Sequence, residues 1–472
     1  MRAQAHSFDP AILRDYDIRG VVGRNLRIAD AVALGLAFGS ELAARGGRDV
    51  VVGRDGRMSS PDLAAALIDG LTATGMSVLR IGCGPTPMLH FAVAELGADG
   101  GIMVTASHNP ADHNGFKMTM RGRPLFGPDI RALGRRAAAG EFVSGEGSEG
   151  VYEIADAYVA RLLRDVSLAR PLDAVWDCGS GATGPLVREL VKALPGRHTL
   201  MFDAVDGAFP HHHPDPAVPE NLAHLVEAVR ETGADVGFAF DGDGDRIGVV
   251  DDRGEILWGD RLLALLAEEV LARRPGATIL GDVKASRMLF DRIRELGGNP
   301  VMTRTGHSRI RARMAETGAP LAGEMSGHIF FADGIAGCDD GLYAALRLLQ
   351  ALSRRGDRLS DWHGALPRLC ATPELRIPCD DDLKFGIVDA AAAALDAAGV
   401  AYDDTDGVRV SGADGGWWLL RASNTQAELV VRCEAETPAG LAAAKAEAAE
   451  ALTGVGIAPP PALASHQQAG QE

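Results

Sequence analysis

The amino-acid sequence predicts an α/β protein built from three related α/β units and a smaller C-terminal α+β unit. Two observations predict this fold class. Apolar runs of strand length alternate with Ala- and Leu-rich stretches of helix length, which is the pattern of α/β sheets. The same succession of strand, polar loop and helix recurs three times and then stops between Leu366 and Pro373.

The first strand of each unit has one local pattern, an apolar run followed by a charged residue and a small polar loop that opens a helix. The three copies read DVVVGRDGRMSS from Asp49, DAVWDCGSGATG from Asp173 and ATILGDVKASRM from Ala277. The predicted second strands read SVLRIGCGPTP, TLMFDAVDGAFP and PVMTRTGHSRI. Repetition at this length predicts three copies of one supersecondary unit.

The third strand of each unit ends in an unusual polar loop. Similar lead-ins, LGADGGIMV, TGADVGFAF and TGAPLAG, run into Thr105–Pro110, Asp241–Arg246 and Gly323–His328. Ligands of open α/β sheets bind at the carboxyl ends of the strands, so we expect these loops to converge on one cleft. Stability alone does not require three different polar loops at equivalent places.

Changes in composition predict the domain boundaries. A Gly-, Glu- and Ser-rich stretch lies at Gly140–Gly150, a turn lies at Asp251–Gly254, and the repeat ends at Leu366–Pro373. The last unit reads as strand, helix, a β-rich stretch and an Ala-rich helix, which is a different α+β pattern. We therefore predict four domains and a disordered tail, over residues 1–150, 151–253, 254–366, 367–458 and 459–472.

Composition and charge oppose several classes of protein. The chain has 472 residues, of which 46% are hydrophobic, and this is more than one ordinary core can hold. The net charge of −17 and the lack of Lys/Arg blocks oppose binding to nucleic acid or to a membrane surface. Six scattered cysteines without a CxxC pair indicate reduced thiols, and the N-terminus has no apolar signal segment. We expect a cytoplasmic protein that acts as a monomer.

The segment DGDGDR places Asp241, Asp243 and Asp245 two residues apart, with glycines between them. Three carboxylates on a Gly-containing backbone suit a hard cation such as Mg²⁺. A calcium-binding EF-hand loop fits poorly, because Arg246 stands at its sixth position and Asp252 at its twelfth. The alternative is an acidic turn after a strand, since Asp-Gly steps are common in turns.

The segment TASHNP places Ser107 and His108 at a strand end, and Lys117 follows in HNGFK. A serine hydroxyl is a poor nucleophile unless a base, a metal or a cation assists it. His108 and Lys117 are the local candidates, and a metal held by the aspartates could neutralise charge on a phosphoryl group during transfer. The alternative is that Ser-His-Asn forms a helix cap or a turn.

Two further loops carry hydrogen-bonding groups. GEMSGH offers Glu324, Ser326 and His328, which share one face if the segment is extended and so suit neighbouring sugar hydroxyls. RASNTQAE offers a guanidinium, hydroxyls and backbone N–H groups for a phosphate. The respective alternatives are a partly buried polar turn and a solvated hairpin turn. The candidate phosphate-binding residues are Arg421, Ser423, Asn424 and Thr425.

Two other sequence patterns are similar to motifs that bind a dinucleotide or a transition metal. GSGATG, with its three glycines and with Asp203 further on, has the spacing of a dinucleotide-binding loop. The equivalent loops of the other two units lack these glycines, which favours a structural turn over NAD binding. The histidines of residues 211–213 could bind a transition metal, although histidines in a Pro-rich surface loop usually have no ligand.

TASHNP, DGDGDR, GEMSGH and RASNT, in this order and at these separations, resemble the α-D-phosphohexomutase family. The resemblance extends from DYDIRG near the N-terminus into the last domain, and GEMSGH with its Met is similar to the bacterial phosphomannomutase/phosphoglucomutase group. It implies three related mixed-sheet α/β domains and a smaller C-terminal α+β domain around a central active-site cleft. It also implies an isomerase that acts on hexose phosphates.

The resemblance assigns roles to individual residues. It implies that Ser107 is a phosphoserine that holds Mg²⁺ together with Asp241, Asp243 and Asp245. The residues that it places in catalysis are Ser107, His108, Lys117, Arg246 and His307. The residues that it places at the substrate are Tyr16, Arg19, Lys284, Glu324, Ser326, His328, Arg421, Ser423, Asn424 and Thr425.

The implied reaction interconverts hexose 1-phosphate and hexose 6-phosphate, with mannose or glucose as the sugar. The phosphoserine gives its phosphoryl group to the substrate, and the resulting hexose 1,6-bisphosphate turns around and returns the other phosphoryl group. Mg²⁺ is the implied cofactor, and glucose or mannose 1,6-bisphosphate is the implied activator. Phosphoglucosamine mutase is the alternative activity. A non-catalytic sugar-phosphate sensor and an NAD-dependent oxidoreductase are the alternatives from other classes.

The sequence departs from the family pattern at two places. Gln426 and Ala427 follow the phosphate loop where close relatives often have Thr-Pro, and residues 331–340 lack the expected basic and aromatic side chains. Both departures bear on which sugar is preferred rather than on the reaction class.

Overall fold

The computed structural model describes residues 4–334, 337–412, 415–424 and 426–464, and four β-sheets follow one another along this part of the chain. Each sheet belongs to one successive unit, and we describe the units in chain order. Every helix in the described ranges is too short or too polar to traverse a lipid bilayer.

The first unit contains a seven-stranded mixed sheet. Its strands are β1 (Ile18–Val21), β2 (Asp49–Arg54), β3 (Ser77–Cys83), β4 (Gly100–Val104), β5 (His113–Met120), β6 (Arg123–Pro124) and β7 (Ser148–Val151). Its helices are α1 (Ile28–Ala44), α2 (Ser60–Ala73), α3 (Thr86–Glu95) and α4 (Pro128–Ala139), after a 3-10 turn at Pro10–Ile12. β2 pairs in parallel with β3 and β4, and β5 pairs antiparallel with β4.

The second unit contains a five-stranded sheet. Its strands are β8 (Ala174–Asp177), β9 (His198–Met201), β10 (Val236–Phe240), β11 (Ile247–Asp251) and β12 (Ile256–Leu257). Its helices are α5 (Ala155–Arg164), α6 (Gly184–Leu190) and α7 (Ala223–Thr232), with 3-10 turns at Val191–Ala193 and Pro219–Leu222. β8 pairs in parallel with β9 and β10, and β11 pairs antiparallel with β10.

The third unit contains a four-stranded sheet. Its strands are β13 (Thr278–Asp282), β14 (Asn299–Thr303), β15 (Leu321–Gly323) and β16 (Ile329–Phe331). Its helices are α8 (Gly259–Arg273), α9 (Arg287–Glu295), α10 (His307–Thr317), α11 (Gly341–Ser353) and α12 (Leu359–Ala365). β13 pairs in parallel with β14 and β15, and β16 pairs antiparallel with β15.

The same strand pattern therefore occurs in all three units, which confirms the prediction of three related α/β units. In each, the first strand lies between the second and the third, and an antiparallel strand follows the third. The apolar run DVVVG explains the central place of the first strand, because residues 50–53 are buried in the sheet. The polar loops that follow β4, β10 and β15 consequently lie at equivalent sheet edges.

The fourth unit has a different, antiparallel sheet of five strands. Its strands are β17 (Cys370–Ala371), β18 (Leu375–Pro378), β19 (Val408–Ser411), β20 (Trp417–Ala422) and β21 (Glu428–Ala435). Its helices are α13 (Lys384–Ala398), α14 (Pro438–Gly454) and α15 (Pro461–Ala464). This arrangement is the α+β pattern that the sequence predicts for the last unit.

One hydrophobic core extends through the first three units. It includes Met103 from β4, Trp176 from β8 and Leu349 from α11, all of which are buried. Burial of apolar surface contributes about 25 cal/mol per Å², so a core shared by three units favours their packing as one body.

The fourth unit has a separate core, which includes Val431 from β21 and Leu452 from α14. It joins the third unit through a small buried cluster of Val283, Trp417 and Leu419. The apolar contact of the fourth unit with the rest of the molecule is thus much smaller than the contacts among the first three.

The structure corrects two details of the predicted boundaries. Strand β12, which the boundary after residue 253 assigns to the third domain, pairs with β11 of the second sheet. The predicted disorder over residues 459–472 is wrong for Pro461–Ala464, which form α15 with a buried Leu463. The remaining residues of that tail, 465–472, lie outside the described part of the chain.

Candidate active site

Ser107 lies just after β4, in the turn that the sequence TASHNP forms. Its backbone has a φ of +51°, in the left-handed region that residues with a side chain rarely adopt. The hydroxyl is buried, and its Oγ donates a hydrogen bond of 2.5 Å to Asp241 Oδ2. His108 Nδ1 lies 3.0 Å from the same oxygen. The serine therefore has a carboxylate on one side and an imidazole on the other.

Asp241, Asp243 and Asp245 lie just after β10, in a buried turn against the serine loop. Gly242 is required there, because a Cβ at this position would lie 2.5 Å from the backbone oxygen of Ser107. Gly244 has a φ of +70°, which glycine adopts without strain. The glycines of DGDGDR thus allow three carboxylates to approach the serine loop of another unit.

Lys117, from β5 of the first unit, reaches into the aspartate turn. Its Nζ lies 2.8 Å from Asp243 Oδ2 and also contacts Asp245 Oδ2. Burial opposes ionisation of Asp245, but the ammonium outweighs it and lowers the pKa of Asp245 to about 2. For Asp241, burial and then the neighbouring carboxylates raise the pKa well above its usual range. One ammonium therefore does not neutralise the three acidic groups.

This turn fits a divalent cation. The three carboxylates can each direct one oxygen to a common point, with these atoms within 4.8 Å of one another. Asp243 Oδ1 and Asp245 Oδ1 are buried and have no hydrogen-bond partner among the described residues. Unpaired buried carboxylate oxygens are costly, and hard cations such as Mg²⁺ take carboxylate ligands.

Arg246 and His328 connect the aspartate turn with the third unit. Arg246 Nε donates a hydrogen bond of 2.9 Å to His328 Nε2, and the two residues form an antiparallel β-bridge. His328 Nδ1 lies 2.7 Å from Asp339 Oδ2, at the end of the loop that follows β16. The imidazole is therefore held between a guanidinium and a carboxylate in the buried interior.

Glu324 and Ser326 lie in a tight turn between β15 and β16, which is the polar-turn alternative for GEMSGH and not the extended segment. The turn nevertheless brings Ser326 Oγ to 3.5 Å from Glu324 Oε2. Glu324 Oε1 accepts a hydrogen bond of 2.6 Å from the backbone N–H of Gly306, which fixes the carboxylate. His328 Nε2 lies 4.0 Å from Glu324 Oε2.

Tyr16 is the point at which the first, third and fourth units meet. Its hydroxyl donates a hydrogen bond of 2.7 Å to the backbone oxygen of Thr305 and accepts one of 2.7 Å from Asn424 Nδ2. The ring packs edge-on against His307, with 5.7 Å between the ring centroids. Tyr16, Lys117 and His307 line one cleft together with Asp245. Residues from the separate units thus converge on one cavity.

The remaining predicted residues lie near this centre but contact other groups. Arg19 Nη1 donates to Asn109 Oδ1 at 2.6 Å, which places its guanidinium beside the serine loop. Lys284 Nζ lies 3.0 Å from Glu374 Oε2, between the third and fourth units. The described contacts of Lys284 do not include Ser107 or the three aspartates of DGDGDR.

Among the phosphate-loop candidates, Arg421 lies near the end of β20, and Ser423 and Asn424 follow this strand. Arg421 Nε donates a hydrogen bond of 2.9 Å to Asp406 Oδ2, which holds one edge of the guanidinium. Ser423 Oγ accepts from the backbone N–H of Gln426 at 3.2 Å and so shapes the hairpin. Thr425 lies outside the described residues.

The glycines of GSGATG have a structural explanation. The backbone N–H of Ala182 donates a hydrogen bond of 3.0 Å to the oxygen of Gly242, so this loop supports the aspartate turn. A Cβ on Gly184 would overlap the backbone oxygen of Asp203, whose carboxylate pairs with Arg188. The glycines therefore serve close packing between loops.

All three histidines at residues 211–213 have partners within the protein, and His213 forms a hydrogen bond with the backbone of His108. His212 Nε2 lies 2.9 Å from Asp177 Oδ2, and His211 stacks on Phe202 with 4.1 Å between the ring centroids. Although burial opposes protonation of His212, Asp177 raises its pKa. These contacts support the surface loop rather than a shared metal centre.

Sequence reasoning missed several residues that support the site. Arg57 and Asp55 underlie the serine loop, and Thr86 Oγ1 donates to Asp243 Oδ2 at 2.5 Å from the start of α3. Asp339 orients His328, as described above. The signal for Arg57 was present in RDGRMSS, because a charged residue in the loop after a buried strand lies at the ligand-binding edge of the sheet.

Four family models match successive parts of the chain. They are described as phosphoglucomutase/phosphomannomutase, alpha/beta/alpha domains I, II and III, and as the C-terminal domain of the same proteins. The matches cover residues 11–144, 156–254, 258–369 and 374–451.

Similar proteins match over nearly the whole chain. A phosphomannomutase/phosphoglucomutase of Pseudomonas putida is 46% identical over 431 residues, which are 91% of this chain and 93% of that protein. A phosphoglucomutase of Neisseria gonorrhoeae is 43% identical, over 91% of this chain and 94% of that protein. The crystal structure of a phosphoglucomutase/phosphomannomutase family protein from Burkholderia thailandensis superposes with a TM-score of 0.90 at 46% identity. That match covers 96% of this chain and 99% of the other.

Proposed function

This chain belongs to the phosphoglucomutase/phosphomannomutase family, and from that membership we propose that it is a hexose phosphate mutase that transfers phosphoryl groups through Ser107. The observation that carries this proposal is the placement of the Ser107 hydroxyl, which lies 2.5 Å from Asp241 Oδ2 in a buried centre between two units. A hydroxyl in a strained turn, beside an acidic cluster and an imidazole, is arranged for covalent transfer.

We propose that the enzyme works from a phosphorylated Ser107. The Ser107 Oγ–phosphorus bond breaks as a bond forms between phosphorus and a hydroxyl oxygen of the sugar phosphate, whose proton passes to a base. The product is a hexose 1,6-bisphosphate, and Ser107 becomes free. After the bisphosphate turns around, the Ser107 oxygen attacks the other phosphoryl group and the sugar hydroxyl is restored. His108, Lys117, Arg246 and His307 are the proposed catalytic residues around Ser107.

We propose that Asp241, Asp243 and Asp245 hold Mg²⁺ together with the phosphoserine. The unpaired buried oxygens of Asp243 and Asp245 support this assignment. The bound ion would neutralise negative charge on the transferring group and on the oxygen that leaves. Lys117 holds two of the carboxylates in place, and the backbone N–H of Arg246 donates to Asp241 Oδ1 at 3.1 Å.

We propose that the third unit recognises the sugar and the fourth unit recognises the distal phosphate. Glu324, Ser326 and His328 present a carboxylate, a hydroxyl and an imidazole from one turn. A phosphate held at a distance from Ser107 would fix the position of the reacting hydroxyl, which is how binding energy becomes orientation. The proposed phosphate residues are Arg421, Ser423, Asn424 and Thr425, and Tyr16, Arg19 and Lys284 complete the substrate group.

A coupled assay tests the proposed activity. Mannose 1-phosphate, glucose 1-phosphate and glucosamine 1-phosphate are offered separately, with Mg²⁺ and a trace of glucose 1,6-bisphosphate as activator. We expect conversion of the mannose and glucose phosphates to their 6-phosphates. Conversion of glucosamine 1-phosphate alone would instead assign the chain as a phosphoglucosamine mutase. No conversion of any of the three would reject the proposal.

A further inference from the structure

We propose that Arg57, supported by Asp55 and Thr105, is a positioning residue that holds the Ser107 turn in its reactive conformation. We call these three residues the serine brace. The proposal deepens the proposed function and rests on it, because it concerns how the nucleophile is placed. None of the three side chains needs to contact the substrate for this role.

Arg57 lies in the loop that follows β2 and is buried, with 1% of its surface exposed. A guanidinium has five N–H donors, and all five are used here. Nε donates to Asp55 Oδ2 at 3.1 Å. The other four hydrogen bonds end on backbone oxygens of the serine turn and of the segment after it, namely those of Ser107 (2.8 Å), Asn109 (2.6 Å), Pro110 (2.6 Å) and His113 (3.0 Å).

Asp55 and Thr105 connect the same guanidinium to the other side of the turn. Thr105 Oγ1 donates to Asp55 Oδ2 at 2.8 Å and accepts from the backbone N–H of Ser107 at 2.9 Å. Asp55 Oδ1 in turn accepts from Ser60 Oγ at 2.5 Å. Both the N–H and the C=O of Ser107 are therefore bonded to members of the brace.

The turn needs this support because of its backbone geometry. A non-glycine residue at a φ of +51° is strained and persists only when its surroundings fix it. The brace fixes the peptide groups on both sides of Ser107, so that Oγ points toward Asp241. A glycine would relieve the strain but has no hydroxyl.

The brace also contacts the second unit at the place where the aspartate turn approaches. The Arg57 guanidinium carbon lies 5.2 Å from the ring centroid of Phe209. The Ser107 oxygen that accepts from Arg57 is the oxygen against which Gly242 packs. A displaced Arg57 would thus alter the distance between the serine and the aspartates, which is the distance on which transfer depends.

Lysine cannot replace this arginine, because one ammonium has three donors and no planar fork. We therefore expect Arg57→Lys to fold but to lower kcat by about 100-fold, the loss that a misplacement near 1 Å can cause. KM should change much less than kcat, since Glu324, Ser326 and Arg421 do not contact Arg57. The rate at which glucose 1,6-bisphosphate phosphorylates Ser107, followed by intact-mass spectrometry, should fall in parallel. Arg80→Lys is the matched control, because Arg80 is an exposed arginine of the same sheet.

The results distinguish a failure of the Arg57 proposal from a failure of the proposed function. Wild-type kcat and a wild-type phosphorylation rate per folded molecule in Arg57→Lys, with or without a lower melting temperature, would overturn the proposal and leave a merely structural arginine. Failure of the wild type to accept phosphate on Ser107 would instead reject the proposed function itself.

A second pair of variants decides the question if Arg57→Lys does not fold. Thr105→Val removes the link between Asp55 and the N–H of Ser107, whereas Thr105→Ser keeps the hydroxyl. We expect slowed phosphorylation at unchanged KM in Thr105→Val and rescue in Thr105→Ser. Equal phosphorylation rates in the two folded variants would overturn the brace.

Discussion

The serine centre and the phosphate loop of the fourth unit are built in opposite ways. The serine centre lies between the first and second units and is fixed by buried contacts to backbone groups. The backbone N–H of Thr86 donates to the oxygen of Asp243 at 2.8 Å, and Gly242 packs directly on the oxygen of Ser107. These two units also share a hydrophobic core with the third. Movement of the serine relative to the aspartates would disrupt many contacts at once.

The fourth unit contacts the first through side chains, at the buried Tyr16 and at a partly exposed ion pair. Asn424 bonds to the Tyr16 hydroxyl, and Arg14 pairs with Asp381 at 2.9 Å, where both side chains are partly exposed. Exposed ion pairs contribute only about 0–1 kcal/mol. From this difference we propose that the reacting groups are pre-organised, whereas residues 421–424, which we call the phosphate clamp, open and close with the fourth unit. The bisphosphate of the proposed reaction, which turns around between two transfers, would require both properties.

The largest expected effect comes from a substitution of the nucleophile at the middle of the serine centre. Ser107→Ala should abolish phosphoryl transfer and leave the melting temperature near that of the wild type, because the hydroxyl adds little to core packing. The coupled assay and a thermal melt measure the two quantities. Wild-type turnover in this variant would remove Ser107 from the mechanism.

Asp243→Asn should cut kcat severely while substrate still binds, because the variant loses one negative charge from the proposed cation site. A chelator should silence the wild type, and added Mg²⁺ should restore it. Asp49→Asn, on an exposed aspartate, is the control. Full activity in the presence of chelator would contradict the cation assignment.

The clamp is tested by Arg421→Ala, which should raise KM for both the 1-phosphate and the 6-phosphate of a sugar. Loss of hydrogen bonds to a charged group costs about 1.5–3 kcal/mol, or roughly 10- to 100-fold. Small-angle X-ray scattering should show weaker compaction on ligand binding than in the wild type. An effect on one positional isomer alone would assign the clamp to another loop.

Tyr16→Phe gives the smallest expected effect, because it removes one hydroxyl from the junction of three units. A neutral hydrogen bond contributes about 0.5–1.5 kcal/mol, so KM should rise by a few-fold while kcat is largely kept. Tyr402→Phe provides a control on a partly buried tyrosine of the fourth unit. A loss as large as that of Ser107→Ala would show that Tyr16 belongs to the chemical centre, and the contrast between the two regions would fail.

The sequence predicted the three-fold repeat because each unit carries its own apolar strand and its own polar loop. It also selected Ser107 and the aspartate turn, since nucleophile and carboxylates stand at the ends of equivalent strands. It did not predict Arg57 or Asp339, because their partners are backbone oxygens or residues that become neighbours only after folding. The conformation of GEMSGH stayed open between an extended segment and a polar turn, since alternate polar residues do not distinguish a strand from a hairpin that ends one.

The central claim, that Ser107 carries the phosphoryl group between the two ends of the sugar, is tested most directly by mapping the phosphate. The purified protein is incubated with glucose 1,6-bisphosphate and Mg²⁺, digested and sequenced by tandem mass spectrometry. We predict one phosphate on the peptide that contains TASHNP, located on Ser107, and no phosphate on the corresponding peptide of Ser107→Ala treated in the same way. A phosphate on any other residue, or an unmodified Ser107 in a protein that turns over substrate, would contradict the account.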